Sequence, residues 1–360
     1  MNEKRLDELR RQLAQLDILT AAAARRHIAQ EIGRIKGTLG RPTRDFGQER
    51  EVMQRARNHA VELGVPVDTC DRIMLELIAS SLQVQERDKV SAFGVGDGRR
   101  VLIIGGAGRM GRWFARFLAS QGFDVAVADP NGSVDGCTNH EDWTALDLDH
   151  DLIIVAAPLR PTANIINRLA DARPQGVVCD IGSLKTPLKD ALLRLHDAGV
   201  KVASIHPMFG PDTELLSGRH VIVVDVGSDE ATAVARELFA ATMVTMVEMN
   251  IEEHDRVIAY ILGLSHALNL AFFTALGDSG ESVPHLSELS STTFDSQLAI
   301  AQQVASENPY LYYEIQALNE FGQEVLDNLR RATDRIASVV AAQDETQFVR
   351  LMDQGRKMFD

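Results

Sequence analysis

The chain has 360 residues, of which 45% are hydrophobic, and a formal net charge of -14 at pH 7. This length predicts about two or three domains, and the composition is that of an ordinary soluble globular protein. The acidic charge makes nucleic acid an unfavourable partner. Aromatic residues make up only 5% of the chain, which argues against a stacking surface for single strands.

The sequence predicts neither a membrane span nor a secretory signal. Its start, MNEKRLDELRRQL, is charged and helical rather than apolar, and no uninterrupted run of about 18 apolar residues follows. The three cysteines, at positions 70, 137 and 179, are scattered, without the spacing of a metal site or a disulfide framework. We therefore expect a cytoplasmic protein without a bound metal.

Residues 1–90 are predicted to form a helical domain. Leucines and isoleucines recur at helical spacing from Leu6 to Ile35, which predicts one helix of unusual length. Two further helices are predicted at about 48–63 and 67–85, and three long helices with short loops favour pairing with a second copy. The charged sequence QERDKVSAFGVGDGRR follows, and we expect its residues 91–98 to be an interdomain linker.

Residues 99–249 alternate between apolar runs and amphipathic stretches. The runs include VLIIGG, DVAVADP, DLIIVAAP, GVVCDIG, KVASIHP and HVIVVDV, which predicts a parallel α/β sheet of the Rossmann type. Residues 250–360 return to a helical pattern. The predicted architecture is an all-α N-terminal domain, an α/β dinucleotide-binding domain and an all-α C-terminal domain that supplies a substrate pocket and a dimer interface.

The first predicted strand runs into a glycine-rich loop. Gly106, Gly108 and Gly111 form a G-x-G-x-x-G pattern that opens a helix, and Asp129 ends the next strand about 20 residues further on. This context predicts a backbone that approaches a pyrophosphate. Asp129 would accept hydrogen bonds from ribose hydroxyls and repel a 2′-phosphate, so NAD is the predicted cofactor. The same site is predicted to include Arg109, Met110 and Pro158.

The sequence SIHPMFGPD, residues 204–212, places one histidine beside two prolines and a glycine. A turn stiffened by Pro207 and Pro211 would hold the His206 side chain still. The preceding strand ends in DIGSLK, residues 180–185. Ser183 and His206 are therefore both expected just past strand ends, where ligands bind in open α/β sheets.

These two motifs, with the glycine pattern and the sequence EHD at 253–255, resemble prephenate dehydrogenase over about residues 99–360. The N-terminal 90 residues resemble the all-helical class of chorismate mutase, and the fusion resembles the T-protein family of tyrosine biosynthesis. The resemblance implies a homodimer that acts on small molecules. It would rearrange chorismate to prephenate and oxidatively decarboxylate prephenate to 4-hydroxyphenylpyruvate with NAD.

The resemblance also implies roles for individual side chains. His206, as a neutral imidazole, would accept a hydrogen bond from the ring hydroxyl and stabilise charge that develops as hydride departs. Ser183 would bind the same hydroxyl near the nicotinamide, and Lys185 would support the site or bind a carboxylate. His254 and His266, on one helical stretch, are interpreted as structural histidines.

One position departs from the dehydrogenase pattern. Gln303 stands where the family carries an arginine that binds a substrate carboxylate, and a neutral amide cannot replace a bidentate guanidinium. Arg256 or Lys185 could supply the charge, or the carboxylate could be held differently. The substrate could also be a relative, such as arogenate or an aminodeoxy-prephenate, and the residues leave these alternatives open.

The mutase reaction is pericyclic and needs no base or nucleophile. The protein must hold one conformer and place cations at two carboxylates and the ether oxygen. Arg25 and Lys36 lie about three turns apart on one helix face. The resemblance implies that Lys36 and Gln85 bond the ether oxygen and that Arg25 binds a carboxylate. The remaining substrate-binding residues implied are Asp45, Glu49, Ser81 and Arg10.

Two mutase positions also depart from the pattern. Gln48 stands where the family has a second-helix arginine, and the first-helix arginine aligns with Glu8 without a gap or with Arg10 after a two-residue deletion. The chain is therefore either a bifunctional enzyme or a dehydrogenase with a helical dimerisation or regulatory module. A nucleotide-sensing protein without chemistry is disfavoured by the polar residues at the strand ends, Ser183 and His206.

Overall fold

The computed structural model describes residues 18–359, so Arg10 lies outside the described residues. The helical N-terminal part contains α1 (Ile18–Thr38), α2 (Phe46–Glu62) and α3 (Val67–Ala92). Asp45 caps α2, since its side chain accepts the N–H of Gln48. Gly33 lets α1 and α3 approach closely, because a Cβ there would lie 2.8 Å from Cγ of Gln85. Polar residues of all three helices line one cavity.

The third helix is longer than the sequence predicted. It continues to Ala92, so the first half of the expected connector is helical. Its sequence QERDKVSA is rich in residues that favour helices, and three of its side chains, Gln85, Glu86 and Val90, are buried. The glycine-containing stretch that follows makes the connection to the first strand.

The central part is built on one mixed sheet. Its strands are β1 (Arg100–Ile104), β2 (Asp124–Ala128), β3 (Thr138–His140), β4 (Leu152–Val155), β5 (Val177–Asp180), β6 (Val202–Pro207), β7 (His220–Asp225) and β8 (Thr245–Asn250). Within residues 18–359 these eight strands follow the order β3-β2-β1-β4-β5-β6-β7-β8. The first six are parallel, β7 is antiparallel to β6, and β8 is parallel to β7.

The predicted parallel sheet is confirmed for β1–β6, and the strand direction departs from the prediction at β7. Its apolar run HVIVVD marks a buried strand, but burial on both faces does not encode strand direction. The sequence also missed β3 and β8, because β3 has only three residues and β8 is largely exposed at the sheet edge.

Helices cover both faces of the sheet. They are α4 (Arg109–Ser120), α5 (Leu159–Ala172), α6 (Lys189–Asp197) and α7 (Asp229–Glu237). Because side chains alternate along a strand, Ile103 packs with Phe114 in one apolar cluster, whereas its neighbour Leu102 packs with Leu169 in the other. The two clusters hold the carboxyl ends of the parallel strands at one edge.

The C-terminal part is helical. It comprises α8 (Ile251–Ile258), a π-helical turn (Ala259–Leu264), α9 (Ser265–Asp278), α10 (Val283–Glu288), α11 (Thr292–Ala305), α12 (Pro309–Ala317), α13 (Gly322–Ala341) and α14 (Glu345–Lys357). In the described part of the chain, Ile251–Asp278 is the one helix long and apolar enough to cross a membrane by length and composition, with 33% of its most apolar window buried. The core helix of a soluble protein passes the same test.

Candidate active sites

The glycine loop between β1 and α4 has the geometry of a pyrophosphate cradle. A Cβ at Gly111 would lie 2.5 Å from the Gly105 carbonyl oxygen, and one at Gly106 would lie 2.6 Å from Val127. A Cβ at Gly108 would lie 3.3 Å from the nearest atom, the Gly105 carbonyl oxygen. Gly108 is also the N-cap of α4 and provides no side-chain cap. The outer glycines thus permit close packing, and the middle one leaves backbone N–H groups accessible to an anion.

Asp129 lies at the end of β2 beside this loop. Its carboxylate accepts the N–H groups of Ala107 at 3.0 Å and Asn131 at 2.9 Å. The side chain therefore fixes the loop, in the place expected for a ribose-binding carboxylate.

Three more predicted cofactor residues surround the loop. Pro158 is the N-cap of α5, and a Cβ at Gly105 would lie 2.8 Å from the N atom of the preceding Ala157. Met110 packs against the apolar core, whereas Arg109 pairs with Asp212 at 2.7 Å. Pro158 and Arg109 are thus placed at the loop, and Met110 serves its packing.

His206 lies inside strand β6 and is buried, whereas the sequence placed it on the following turn. Antiparallel pairing with Ile222 of β7 extends β6 through Pro207. Its Nδ1 lies 3.1 Å from Nε2 of His254, whose Nδ1 lies 2.6 Å from Oδ1 of Asp255. His254 therefore contacts the predicted catalytic residue directly, and the interpretation of His254 as only a structural histidine is corrected.

This chain of hydrogen bonds assigns the protons. Asp255 accepts from Nδ1 of His254, so the neutral His254 accepts at Nε2 and His206 donates from Nδ1. The Nε2 lone pair of His206 is thereby left for a hydroxyl donor. Burial, aided by the nearby His254 and Lys185, holds the pKa of His206 well below its usual value. Burial also lowers the pKa of His254, against the opposing effect of Asp255.

Lys185 is fully buried and positions the site from within. Its ammonium donates to Oδ2 of Asp180 at 2.8 Å and to two backbone carbonyls, of Gly182 at 2.8 Å and Ile205 at 3.0 Å. Its backbone N–H donates to Asp255 at 2.8 Å. All three ammonium protons are engaged, so Lys185 cannot bind a substrate carboxylate, and its predicted catalytic role is corrected to positioning.

Ser183 lies in the loop that Lys185 holds. It is half-buried, three residues beyond the end of β5, and Lys185 links the carbonyl before it to the carbonyl before His206. The structure thus joins the loop of Ser183 to the strand of His206, a link that the sequence did not predict.

The cation that would replace the missing arginine at Gln303 is not Arg256. Arg256 follows His254 by two residues on α8, a rotation of about 200°, and its side chain is exposed. It therefore lies on the face of α8 opposite His254. Since Lys185 is also engaged, both cations suggested by the sequence are excluded within one subunit.

His266 fits its interpretation as a structural histidine. Its ring stacks on Tyr312 with centroids 3.9 Å apart, and burial lowers its pKa to about 4. It is therefore neutral at physiological pH and joins α9 to α12.

The N-terminal helices enclose a cavity of about 850 Å³. All six predicted mutase residues within the described chain line it: Arg25, Lys36, Asp45, Glu49, Ser81 and Gln85. Nε of Arg25 and Oε1 of Gln85 are buried without a hydrogen-bond partner in the described part of the protein. Such groups are costly unless a ligand satisfies them, so the cavity has the character of a polar ligand site.

The cavity also contains cations that the sequence analysis missed. Arg41, after α1, and Arg55, on α2, both line it beside Gln48. Arg55 follows Gln48 by seven residues, about two turns, and so shares its helix face. This seven-residue spacing from Gln48 could have identified Arg55 from the sequence.

No metal site is evident within residues 18–359, where no group of three or more His, Cys, Asp or Glu side chains could hold an ion. The absence of a metal from the catalytic sites stays a prediction.

The dinucleotide cradle and the neutral imidazole lie at the carboxyl edge of one sheet, which defines a nucleotide-dependent dehydrogenase. Family models match the prephenate dehydrogenase nucleotide-binding domain at residues 115–248, its dimerization domain at 250–354, and chorismate mutase type II at 9–86. The chain belongs to the family of prephenate dehydrogenases fused to chorismate mutase. The predicted resemblance, fold class, enzyme activities and NAD cofactor are confirmed.

Similar proteins span most of the chain. The T-protein of Enterobacter agglomerans is 27% identical over 357 residues, covering 98% of this chain and 89% of that protein. The 4-amino-4-deoxyprephenate dehydrogenase of Streptomyces pristinaespiralis is 28% identical over 272 residues, 71% of this chain and 90% of that protein. The crystal structure of prephenate dehydrogenase from A. aeolicus shares the fold, with a TM-score of 0.55 and 20% identity over 73% of this chain and 98% of that one.

Proposed function

We propose that the α/β and C-terminal parts oxidise prephenate with NAD, and that His206 is the residue that receives the ring hydroxyl. The observation that carries this role is the hydrogen-bond chain from Asp255 through His254, which leaves Nε2 of a buried, neutral His206 as an acceptor. A neutral acceptor stabilises the hydroxyl as positive charge grows on it during hydride loss. Ser183 is proposed to orient the same hydroxyl.

The cofactor site follows from the glycine loop. Gly108 and the N-terminus of α4 would hold the pyrophosphate, and Asp129 the adenosine ribose. The cofactor supplies the hydride acceptor when bound. The chain itself orients the substrate hydroxyl and accepts its hydrogen bond at His206. Lys185, whose backbone N–H donates to Asp255, fixes the loop of Ser183 and the strand of His206 from behind.

A pH profile tests the protonation state of His206. Protonation would remove its acceptor lone pair, so activity is lost as pH falls through its pKa, which lies below the ordinary value of about 6.5. We expect kcat/KM for NADH formation to stay level from about pH 8 to pH 7, with the acid limb inflecting below about pH 6.5. An inflection above pH 7 would contradict a buried, neutral imidazole.

The substrate choice is tested by a direct comparison. Because Gln303 is neutral and the two alternative cations are excluded within one subunit, prephenate, arogenate and 4-amino-4-deoxyprephenate should be assayed side by side for NADH formation. We expect prephenate and arogenate, which both carry the ring hydroxyl, to give a higher kcat/KM than 4-amino-4-deoxyprephenate, since a neutral Nε2 acceptor suits a hydroxyl donor. The ratio of the first two values then identifies the preferred side chain. A higher value for 4-amino-4-deoxyprephenate would reassign the substrate while leaving the hydride transfer intact.

We further propose that the helical cavity rearranges chorismate to prephenate. Arg25 and Lys36 supply cations, Gln85 supplies an amide, and Arg41 and Arg55 are proposed to provide the charge that Gln48 lacks. The competing function, an inactive dimerisation or regulatory module, is favoured by Gln48 and by the first-helix position, where Glu8 or Arg10 aligns with the family's arginine.

Chorismate consumption without NAD separates these alternatives. The wild-type protein should consume chorismate, and Lys36→Met should lower kcat/KM about 10²-fold or more, because a cation near the ether oxygen acts on developing charge. Lys201→Met is the matched control, since Lys201 only pairs with Glu230 at the surface. No consumption by the wild type would remove the mutase proposal and leave the dehydrogenase proposal standing.

We propose a cytoplasmic homodimer without a nucleic-acid or membrane partner. The match to a dimerization domain supports the pairing, and exposed apolar side chains on Ile251–Asp278, such as Ile261 and Leu268, provide surface for it. Sedimentation of the purified protein would test the dimer, and its partition between cytosol and membrane fractions would test the location.

A further inference from the structure

The segment Met208–Ser217 follows β6, two residues after His206, and contacts both enzyme sites. On the dehydrogenase side, the Trp113 indole N–H donates to the Thr213 carbonyl at 2.9 Å, and Asp212 pairs with Arg109 of the glycine loop. On the mutase side, its end lies against the α1–α2 loop and α3. We refer to residues 208–217 as the shared segment.

A first link joins the shared segment to the mutase cavity through Arg44. Both carboxylate oxygens of Glu49, a cavity residue, accept from Arg44 at 3.0 Å. Another guanidinium N–H of Arg44 donates to Oγ of Ser217 at 2.8 Å. The planar guanidinium holds these bonds in fixed relative directions, so a shift of Glu49 changes the position of Ser217.

A second link runs through Glu86, next to the cavity residue Gln85 on α3. Glu86 is 4% exposed, and its two oxygens accept backbone N–H groups across the domain boundary, from Leu216 at 2.7 Å and from Met243 at 2.5 Å. A third contact joins Gln83 of α3 to Glu214. Helix α3 thus holds the shared segment at Glu214 and Leu216, and Arg44 of the α1–α2 loop holds the adjacent Ser217.

The chemistry of Glu86 is unusual for a purely adhesive contact. A buried carboxylate costs free energy unless hydrogen bonds compensate it, and no salt-bridge partner of Glu86 is found in residues 18–359. Two charge-assisted bonds to backbone N–H groups fix a direction as well as a distance. Apolar packing would join the domains at lower cost but would leave the shared segment free to shift.

We propose that ligand binding in the mutase cavity is coupled to dinucleotide binding through the shared segment, with Arg44 and Glu86 as the positioning residues. This inference rests on the proposed function of both sites. A ligand that orders Glu49 and Gln85 also orders Ser217 and Leu216. Part of the free-energy cost of ordering Asp212 and the glycine loop is then met before the dinucleotide arrives. The coupling is therefore positive, which means that each ligand tightens binding of the other.

Equilibrium binding of NADH to the full-length protein tests this coupling without turnover. NADH fluorescence is titrated with and without a saturating bicyclic ether dicarboxylate, a stable analogue of the mutase transition state. We expect the analogue to tighten NADH binding about fivefold in the wild type. Ser217→Ala, which removes only the Arg44 bond to the segment, and Glu86→Gln, which replaces one acceptor by a donor, should each reduce the effect below about twofold.

Controls separate coupling from folding and from direct binding. Ser338→Ala and Glu76→Gln change exposed side chains elsewhere on helices and should retain the wild-type effect. Lys36→Met should abolish the effect by removing analogue binding. Ser217→Ala and Glu86→Gln should keep mutase kcat/KM within about threefold, which shows that they fold.

An unchanged NADH affinity in the wild type on adding the analogue would overturn the coupling. So would a full effect in both Ser217→Ala and Glu86→Gln. Either result with normal turnover of chorismate and prephenate rejects the coupling alone. Absent turnover with intact binding instead rejects the proposed function.

Discussion

Replacing His206 with asparagine is expected to lower the kcat for prephenate oxidation about 10²-fold or more, with little change in NAD affinity. The asparagine side chain can still donate an N–H toward Nε2 of His254, which His206 contacts at 3.1 Å. It has no group at the position of the imidazole Nε2, so the acceptor for the ring hydroxyl is lost. Steady-state NADH formation and a separate NAD titration measure the two quantities.

The matched control for this variant is His285→Asn. The His285 side chain is exposed and pairs with Glu281, which lies just before α10, so its replacement should leave both kcat and NAD affinity unchanged. Near-normal turnover by His206→Asn would remove His206 from the reaction. A large loss of NAD affinity would instead show that the variant disturbs the sheet edge.

Replacing Lys185 with methionine is expected to destabilise the α/β part by about 3–5 kcal/mol. Methionine has a similar length but no ammonium, so Asp180 would keep a buried charge without its partner at 2.8 Å. The carbonyls of Gly182 and Ile205 would lose their donor as well. Urea unfolding followed by tryptophan fluorescence measures the change, because both tryptophans, Trp113 and Trp143, lie in the α/β part.

Lys189→Met provides the comparison for Lys185→Met. Lys189 pairs with Glu252 at 3.0 Å, but both side chains are substantially exposed, and an exposed pair contributes about 1 kcal/mol or less. Equal unfolding midpoints for the two variants would show that the buried ammonium is not needed for stability. If folded Lys185→Met kept its dehydrogenase activity, Lys185 would not be needed to position Ser183 and His206.

Local sequence patterns were sufficient where the chemistry depends on neighbouring residues. The glycine spacing identified the cradle because the requirement for glycine is local. At Gly106 and Gly111 a Cβ would collide with atoms close by, so no larger residue fits. Helical phase likewise placed Arg25 and Lys36 on the face of α1 that lines the cavity. The strand and helix periods also predicted the three-part fold, because burial alternates with a fixed repeat in each element.

The sequence could not determine contacts that join distant segments. His254 follows His206 by 48 positions, and Asp255 follows Lys185 by 70, so no local period reports their contact. Strand direction at β7 and the burial of Glu86 against Leu216 depend in the same way on how whole elements pack. The sequence by itself therefore determined which residues can carry the chemistry. Only the tertiary structure decided that His206 is neutral, that Lys185 is a support and that the two sites share a segment, because proton positions and buried charges are set by partners brought together in folding.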